Sequence, residues 1–289
     1  MNTGEPINEI IMKRRSVRTY HKKPIRDNDV RMITDYISGL ARPPFDSVMR
    51  FELVEAMGSE DDEKQKIGTY GFIKNAPAYI VGAVKESEKN LEDFGYLMEC
   101  IILYSTGIGL GTCWLGLSFS KGGFSERIKK KDDEIVPAIA SVGYTADKQG
   151  AVEKILRWGA GSKNRKPWSE LFFQNDFTTE LTIDASVPYS APLEMVRLAP
   201  SASNKQPWRI VREKQSSNIH FFLERTKNYE KNLDRFRSAD LQRIDMGIAM
   251  CHFELAARES GLDGKWILAE PRISTIPEDT EYVITWTMN

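Results

Sequence analysis

Apolar positions recur at helical spacing and at strand spacing in turn along the whole chain. Apolar residues three or four positions apart predict helices over residues 7–14, 27–40 and about 92–106. Alternating or continuous apolar runs predict strands at RFELVEA, APAYIVGAV and IVPAIASVGY. Asp27 is expected to be the N-cap of the second helix, because a carboxylate there accepts free backbone N–H groups. The pattern predicts an α+β fold in which helices flank mixed sheets.

The same pattern occurs twice. Residues 93–114 (DFGYLMECIILYSTGIGLGTCW) align without gaps to residues 245–266 (DMGIAMCHFELAARESGLDGKW), with seven identities in 22 positions. Average composition predicts roughly one or two. The identities are Asp93/Asp245, Gly95/Gly247, Met98/Met250, Leu103/Leu255, Gly109/Gly261, Leu110/Leu262 and Trp114/Trp266. Residues 39–55 precede the first copy much as residues 197–213 precede the second.

We therefore divide the chain into two repeated halves. Residues 1–160 form the first half, residues 161–180 form a linker or crossover segment, and residues 181–289 form a shorter second half. A strand around 170–176 is expected to cross over and pair with the sheet of the other half.

Composition and charge exclude several classes of partner and site. The 289 residues are 41% hydrophobic, and the formal charge is −1 with a pI near 6.4, so no global attraction to nucleic acid or an anionic membrane is expected. No signal peptide or transmembrane run is visible, and three cysteines are an odd, sparse set, which favours a cytoplasmic protein. No cysteine or histidine pair has zinc-ligand spacing, so we expect no metal site.

Two polar stretches are candidates for ligand binding. RRSVR at 14–18 brings arginines and a serine to the end of a helix, where they suit a phosphate but equally suit the helix C-terminus. PSASNKQPW at 200–208 is natural as a turn, and its small side chains would also let a flat ring approach the backbone. A basic loop containing Lys163, Arg165 and Lys166 can be a phosphate site or a solvated face.

The glycine-dense GIGLGTCWLG is neither of two familiar phosphate loops. Thr112 stands where a dinucleotide fingerprint needs glycine, and Leu117 stands where a P-loop needs lysine. Residues Gly107 to Gly111 are expected to end a helix and lead into a buried strand. Cys113 is interpreted as a core residue of that strand.

Together, IMKRRSVRTYHKKPI, the repeated helix–glycine–strand unit, RKPWSELF and APSASNKQPW resemble the FMN-dependent nitroreductase family over nearly the whole chain. In that family one subunit provides an RRS-type phosphate loop and the other a P-S-x-x-N segment. Here the first half has RRSVR but ARPPFDS in place of PSASN, and the second half has PSASN but no RRSVR. The chain is similar to the double-length, single-chain branch of that family. The resemblance implies a nitroreductase-like intramolecular pseudo-dimer with one flavin per chain.

The resemblance also implies roles for individual residues. The phosphate would be held by Arg14, Arg15, Ser16 and Arg18, with Lys163 and Arg165 closing around it. The ring and ribityl chain would lie against Pro200, Ser201, Ala202 and Asn204, although Ala202 stands where the family often has serine. The flavin N5 edge would face the backbone of Leu115 and Gly116, and its pyrimidine edge Tyr70 and Gly71. Tyr70 can equally be a core aromatic.

The function implied is an FMN-dependent oxidoreductase that takes hydride from NAD(P)H and passes it to a nitroaromatic, quinone or similar acceptor by a ping-pong mechanism. One alternative is a flavin-binding or sensing protein without NAD(P)H turnover, and another is different flavin chemistry on the same fold. A scaffold without flavin is a further alternative. The expected partner is a small-molecule electron acceptor, and neither nucleic acid nor a membrane is expected. A monomer would suffice because the halves supply the dimer-like interface, and the sequence leaves further oligomerisation open.

Overall fold

The computed structural model describes residues 3–56, 69, 71–117, 119–146, 164–227, 229 and 239–289. The α-helices of this part are α1 (Ile7–Lys13), α2 (Asp27–Ser38), α3 (Asn90–Gly107), α4 (Lys121–Arg127), α5 (Trp168–Leu171), α6 (Ser190–Leu198) and α7 (Leu241–Glu259). The strands are β1 (Met49–Glu55), β2 (Ala78–Lys85), β3 (Gly111–Leu115), β4 (Glu134–Ile135), β5 (Ile139–Gly143), β6 (Phe172–Gln174), β7 (Trp208–Arg212), β8 (Ile219–Glu224), β9 (Gly264–Ile267) and β10 (Thr280–Met288).

Two five-stranded sheets divide the strands between the halves. The first has the order β1–β2–β5–β3, with β4 paired to β2, and its strands run antiparallel. The second has the order β6–β7–β8–β10–β9, in which only β6 and β7 run parallel. The strand expected near 170–176 is β6, and it pairs with the sheet of the second half, as predicted.

The start of α2 differs from the sequence expectation. Asp27 is the first residue of the helix, and the residue before it, Arg26, has extended backbone and makes no capping bond through its side chain. The prediction of Asp27 as N-cap is therefore wrong by one position. Its carboxylate lies instead in the first turn, where the helix dipole favours a negative charge.

Helices α3 and α7 cross in the centre of the molecule and join the two halves. A Cβ atom added to Gly247 would lie 1.8 Å from the carbonyl oxygen of Glu92, and one added to Gly95 would lie 2.2 Å from that of Ile244. Only glycine permits the two backbones to approach this closely. The contact is reciprocal, because Glu92 and Gly95 occupy the same repeat positions as Ile244 and Gly247, as in a two-fold dimer interface.

The two helices also end alike. Gly109 and Gly261 have φ angles of +87° and +74°, which a residue with a side chain rarely adopts. The next residue of each, Leu110 and Leu262, donates its amide to the carbonyl five positions earlier and buries its side chain. The predicted glycine termination is confirmed, with Ile108 as the C-cap of α3.

The repeat therefore has a structural basis. Met98 and Met250 are fully buried in the same apolar core, which spans both sheets. Trp114 and Trp266 each donate their indole N–H to a glutamate of the central helices, Glu99 and Glu254 respectively, at 2.6 Å. Within the described residues no helix is both long and apolar enough to cross a membrane.

We predict that Gly247→Ala destabilises the protein by about 3 kcal/mol or more, because the new methyl group must displace the α3 backbone. Urea unfolding measures the change. The matched control is Gly122→Ala in α4, where an added Cβ meets nothing within 4 Å. That control should be neutral or gain up to about 1 kcal/mol of stability. Equal stability of the two variants would contradict the close crossing.

Candidate cofactor-binding cleft

A cleft of about 420 Å³ lies where the two halves meet, within the size range of small-molecule sites. It is formed by the loop after α1, the end of β3, the start of the segment that leads into α5, the loop before β7 and the first turns of α7. The lining residues are Arg14, Arg15, Ser16, Arg18, Trp114, Gly116, Leu117, Ala138, Arg165, Pro200, Ser201, Ala202, Ser203, Asn204, Leu241, Ile244, Asp245 and Ile248.

The RRSVR segment is held against the edge of the first sheet. Ser16 and Thr112 form a parallel bridge, and the Val17 amide donates to the Thr112 carbonyl at 2.8 Å. The buried Tyr20 hydroxyl donates to the Val17 carbonyl at 2.7 Å. These bonds bury Val17 and leave the flanking Arg15, Ser16 and Arg18 at the cleft.

The PSASN segment is a strained turn and also one wall of the cleft. Residues Ala202–Asn204 form a short 3-10 turn in which Ser203 and Asn204 have φ angles of 50° and 54°. The Ser201 hydroxyl oxygen accepts a hydrogen bond from the Gln206 amide at 2.9 Å and closes the turn. Positive φ angles in residues with side chains persist only where surrounding bonds hold them. The stretch is therefore a turn and also lines the cleft.

The basic loop predicted to close the site is clamped onto this turn. Arg165 donates to the side-chain oxygen of Asn204, and its other terminal nitrogen donates to the Leu198 carbonyl at 2.8 Å. Asn204 in turn donates its amide to the Asn164 carbonyl at 2.7 Å. The side-chain oxygen of Gln206 accepts a hydrogen bond from the backbone amide of Lys166 at 2.9 Å. Neither Asn164 nor Gln206 was predicted as a site residue, although Gln206 lies within the PSASNKQPW stretch and Asn164 lies beside the basic residues of the loop.

Asp245, which lies on α7, holds the PSASN turn in place. Both of its carboxylate oxygens accept from the Ala202 amide, at 2.9 and 3.1 Å. Its repeat partner Asp93 does the same in the first half, where it accepts from the Phe45 and Ser47 amides at 2.9 Å. Burial raises the pKa of Asp245 well above the usual range, and the bond from Ala202 opposes this only in part. The aspartate repeated in both halves is thus a loop anchor.

The cleft concentrates positive charge. Four arginines line it, and among the described residues no carboxylate forms an ion pair with Arg15, Arg18 or Arg165. Burial, followed by the nearby charges of Arg14 and Arg197, lowers the pKa of Arg165 to about 10. Arg165 still carries its charge at neutral pH. Like charges held together in this way favour an anionic ligand, and guanidinium groups bind phosphate in bidentate fashion.

The rest of the lining is apolar and was not predicted from motifs. It comprises Trp114, Leu117, Ala138, Leu241, Ile244 and Ile248. Trp114 is the last residue of the first repeat unit, and Ile244 directly precedes the second. The repeat was therefore the sequence feature that could have indicated these two lining residues. Apolar walls beside convergent cations fit a ligand with a flat apolar part and an anionic part.

Most of the predicted site residues that the structure describes line this cleft, and two do not. Leu115 is buried in β3 with its side chain in the core of the first half, although the next residue, Gly116, lines the cleft. Gly71 is exposed in a turn outside the lining. The chain after it reaches the RRSVR segment, where the Lys74 amide donates to the Arg18 carbonyl at 2.8 Å. Tyr70 and Lys163 lie outside the described residues.

A second cleft of about 430 Å³ occupies the equivalent position in the other half. It is lined by the loop before β1, by the start of α3 and by Trp266, the repeat partner of Trp114. Its charged lining residues are Asp46, Glu88 and Lys89, and no arginine is among the described residues that line it. The two clefts share a scaffold and differ in charge.

Fold and cleft together define a class: a two-half α+β protein with one cationic, partly apolar ligand cleft at the junction. Within the described residues, no cluster of histidine, cysteine and carboxylate side chains could hold a metal ion. The model of a family described as "Putative TM nitroreductase" matches residues 6–257. The chain belongs to this nitroreductase family and is accordingly an oxidoreductase.

One solved structure shares the fold over the whole chain, and others match about half of it. A "putative nitroreductase" from Thermotoga maritima is 21% identical, with a TM-score of 0.60, and the match covers 100% of this chain and 96% of that one. A nitroreductase family protein from Clostridium novyi is 23% identical over 50% of this chain and 90% of its own, with a TM-score of 0.37. An FMN-dependent nitroreductase from Clostridium difficile is 24% identical over 49% and 89%, with a TM-score of 0.38. No curated protein sequence matches the chain.

We predict that the stability of Asp245→Asn relative to wild type rises with pH. The unfolded carboxyl loses its proton near pH 3.8, and the folded one does so at higher pH. Wild-type stability therefore falls as the pH rises from 3.8 towards the folded pKa, whereas asparagine does not titrate. Each unit of raised pKa contributes about 1.4 kcal/mol.

Urea unfolding of both proteins between acidic and neutral pH measures this difference. Asp245→Ala is the comparison, because it removes the acceptor of the Ala202 amide and should loosen the loop at every pH. A pH-independent difference between wild type and Asp245→Asn would show that the carboxyl ionises normally in the folded protein.

Proposed function

We propose that the protein is an FMN-dependent oxidoreductase that takes hydride from NAD(P)H and passes it to a nitroaromatic, quinone or similar electron-poor acceptor. One observation carries the proposal. Arginines near residue 14 and the PSASN turn near residue 200, on different halves, line the same cleft. The family to which the chain belongs supports the redox chemistry.

The residues of the cleft fit FMN in chemical type. Arg14, Arg15, Arg18 and Arg165 suit a phosphate dianion, with the Ser16 hydroxyl as a further donor. Ser201 and Asn204 offer polar groups to the ribityl chain and ring heteroatoms, whereas Ala202 has no hydroxyl to contribute. Trp114, Leu241 and Ile248 offer apolar surface to a flat ring.

The protein's contribution is binding and electrostatics. When bound, FMN supplies the hydride chemistry itself, so no nucleophilic side chain is required. The arginines would hold the phosphate, and the backbone at Gly116 and the wall at Pro200 would orient the ring. Nearby cations and backbone N–H groups would favour negative charge on the ring. A single cleft must admit the donor and the acceptor in turn, which supports ping-pong kinetics.

The proposal extends to stoichiometry and assembly. The equivalent cleft of the other half has two carboxylates and no arginine in its described lining, so one FMN per chain is expected. Because α3 and α7 already form the dimer-like interface, a monomer suffices to complete the cleft. The three cysteines are buried thiols, and they support a reducing, cytoplasmic setting.

The direct test is a titration of the protein with FMN, followed by anaerobic addition of NADH or NADPH. We expect one equivalent of FMN to bind per chain, its visible absorbance to bleach with the nicotinamide, and the colour to return with a quinone or nitroaromatic. Binding without bleaching would favour a flavin-binding or sensing protein. A failure to bind FMN would overturn the proposal.

A variant tests the phosphate site. Arg18→Gln should weaken FMN binding about tenfold or more, the loss expected for a charge-assisted bond. Riboflavin, which has no phosphate, should bind equally well to variant and wild type. Arg31→Gln, an exposed cation on α2, is the matched control and should change neither affinity. Equal FMN affinity of Arg18→Gln and wild type would remove Arg18 from the phosphate site.

A further inference from the structure

A buried ion network lies directly behind the arginines of the cleft. Glu99 on α3 and His252 on α7 are both fully buried, and Oε1 of Glu99 lies 2.9 Å from Nε2 of His252. The same carboxylate oxygen lies 3.8 Å from Nε of Arg14, whose side chain is only 7% exposed. The other oxygen, Oε2, accepts the indole N–H of Trp114 at 2.6 Å. Two residues of the cleft lining, Arg14 and Trp114, thus rest on Glu99.

Hydrogen-bond chemistry fixes the number of protons in this network. Nδ1 of His252 lies 3.0 Å from the Met195 carbonyl oxygen, which can only accept, so Nδ1 carries a proton. Nε2 faces a second acceptor, the Glu99 carboxylate, and another proton must lie between them. A proton on Nε2 makes His252 an imidazolium cation that pairs with ionised Glu99.

This pairing decides what Arg14 can do. A buried carboxylate without a partner is costly and would recruit the nearest cation. His252 satisfies Glu99 at 2.9 Å, while Arg14 stays 0.9 Å farther away, and its buried Nε has no hydrogen-bond partner within the described residues. Glu99, His252 and Arg14 together carry a net charge of +1. Because the charges of Glu99 and His252 offset each other, the charge of Arg14 remains available to the cleft.

The repeat supplies an internal comparison. Glu99 aligns with Cys251, and Cys100 aligns with His252. The contact equivalent to Glu99–His252 is therefore Cys100–Cys251, where the two buried sulfur atoms lie 3.4 Å apart. The charged pair occurs at the contact adjoining Arg14, and its equivalent contact is a pair of neutral thiols.

We propose that His252 is a positioning residue that neutralises the buried Glu99 carboxylate, so that Arg14 stays oriented and free to bind the phosphate of the ligand in the cleft. This inference rests on the proposed FMN site. It assigns a function to a residue that does not line the cleft.

The test compares FMN with riboflavin, because only FMN has a phosphate. His252→Gln retains a donor towards Glu99 but removes the positive charge, so Glu99 should capture Arg14. The preference for FMN over riboflavin should fall about tenfold. Adding Glu99→Gln to this variant removes the captured charge and should restore most of the preference. The double variant Cys100→Ser/Cys251→Ser, at the equivalent contact, should keep the wild-type preference.

The outcomes separate the two proposals. A wild-type protein without preference for FMN would overturn the phosphate site, and this inference with it. A clear wild-type preference that His252→Gln keeps, or a loss that Glu99→Gln does not reverse, would overturn the role of His252 alone. Loss of riboflavin binding in parallel with FMN would indicate a general structural defect and also contradict this role.

A second measurement is made on the wild-type protein. With three histidines in the chain, ¹⁵N-histidine labelling gives a simple NMR spectrum. The signals of His252 are assigned by their absence from the spectrum of His252→Gln or by their change when FMN binds. We expect both ring nitrogens of His252 to carry a proton, because each faces an acceptor. A neutral ring would place the shared proton on Glu99 and overturn the proposal even if the variants fail to fold.

Discussion

The crossing of α3 and α7 is the constraint on which the rest of the structure depends. Gly95 and Gly247 let the two backbones touch, and the contact is reciprocal because both helices carry the same pattern. This approach brings the N-terminal loop of one half and the PSASN turn of the other to one cleft. With larger residues at the crossing, the halves would be held apart and the lining would separate.

The two halves share this backbone arrangement, but they differ in the side chains that line their clefts. The structural positions are kept in both: an aspartate anchors each loop, a glycine ends each central helix, and a tryptophan in each following strand donates to a glutamate of a central helix. The ligand-facing positions differ, with four arginines in one cleft and two carboxylates and a lysine in the other. Packing tolerates little change at the close crossing, whereas side chains that line a cleft are less tightly packed and can differ.

Much of the fold was predictable because it follows from local pattern. Apolar periodicity predicted α1, α2, α3, β1 and β2 near their observed bounds, and the repeat indicated two equivalent halves. The single strand expected at IVPAIASVGY is instead divided into β4 and β5. The N-cap of α2 was misjudged by one residue, since aspartate is favourable both at the cap and in the first turn. Of the site, RRSVR and PSASN were found through their resemblance to a family. Leu117, Leu241 and Ile248 were missed because apolar lining residues look like core residues.

The sequence by itself determined the elements, the duplication, and which half carries each polar motif, because these depend on the order of neighbouring residues. Only the tertiary structure decided that Arg14 and Asn204 line one cleft, that Arg165 is clamped to the PSASN turn, and that His252 lies against Glu99. The residues of these three pairs lie 190, 39 and 153 positions apart in the sequence. These arrangements arise from the packing of α3 against α7 and from burial, which no local pattern encodes.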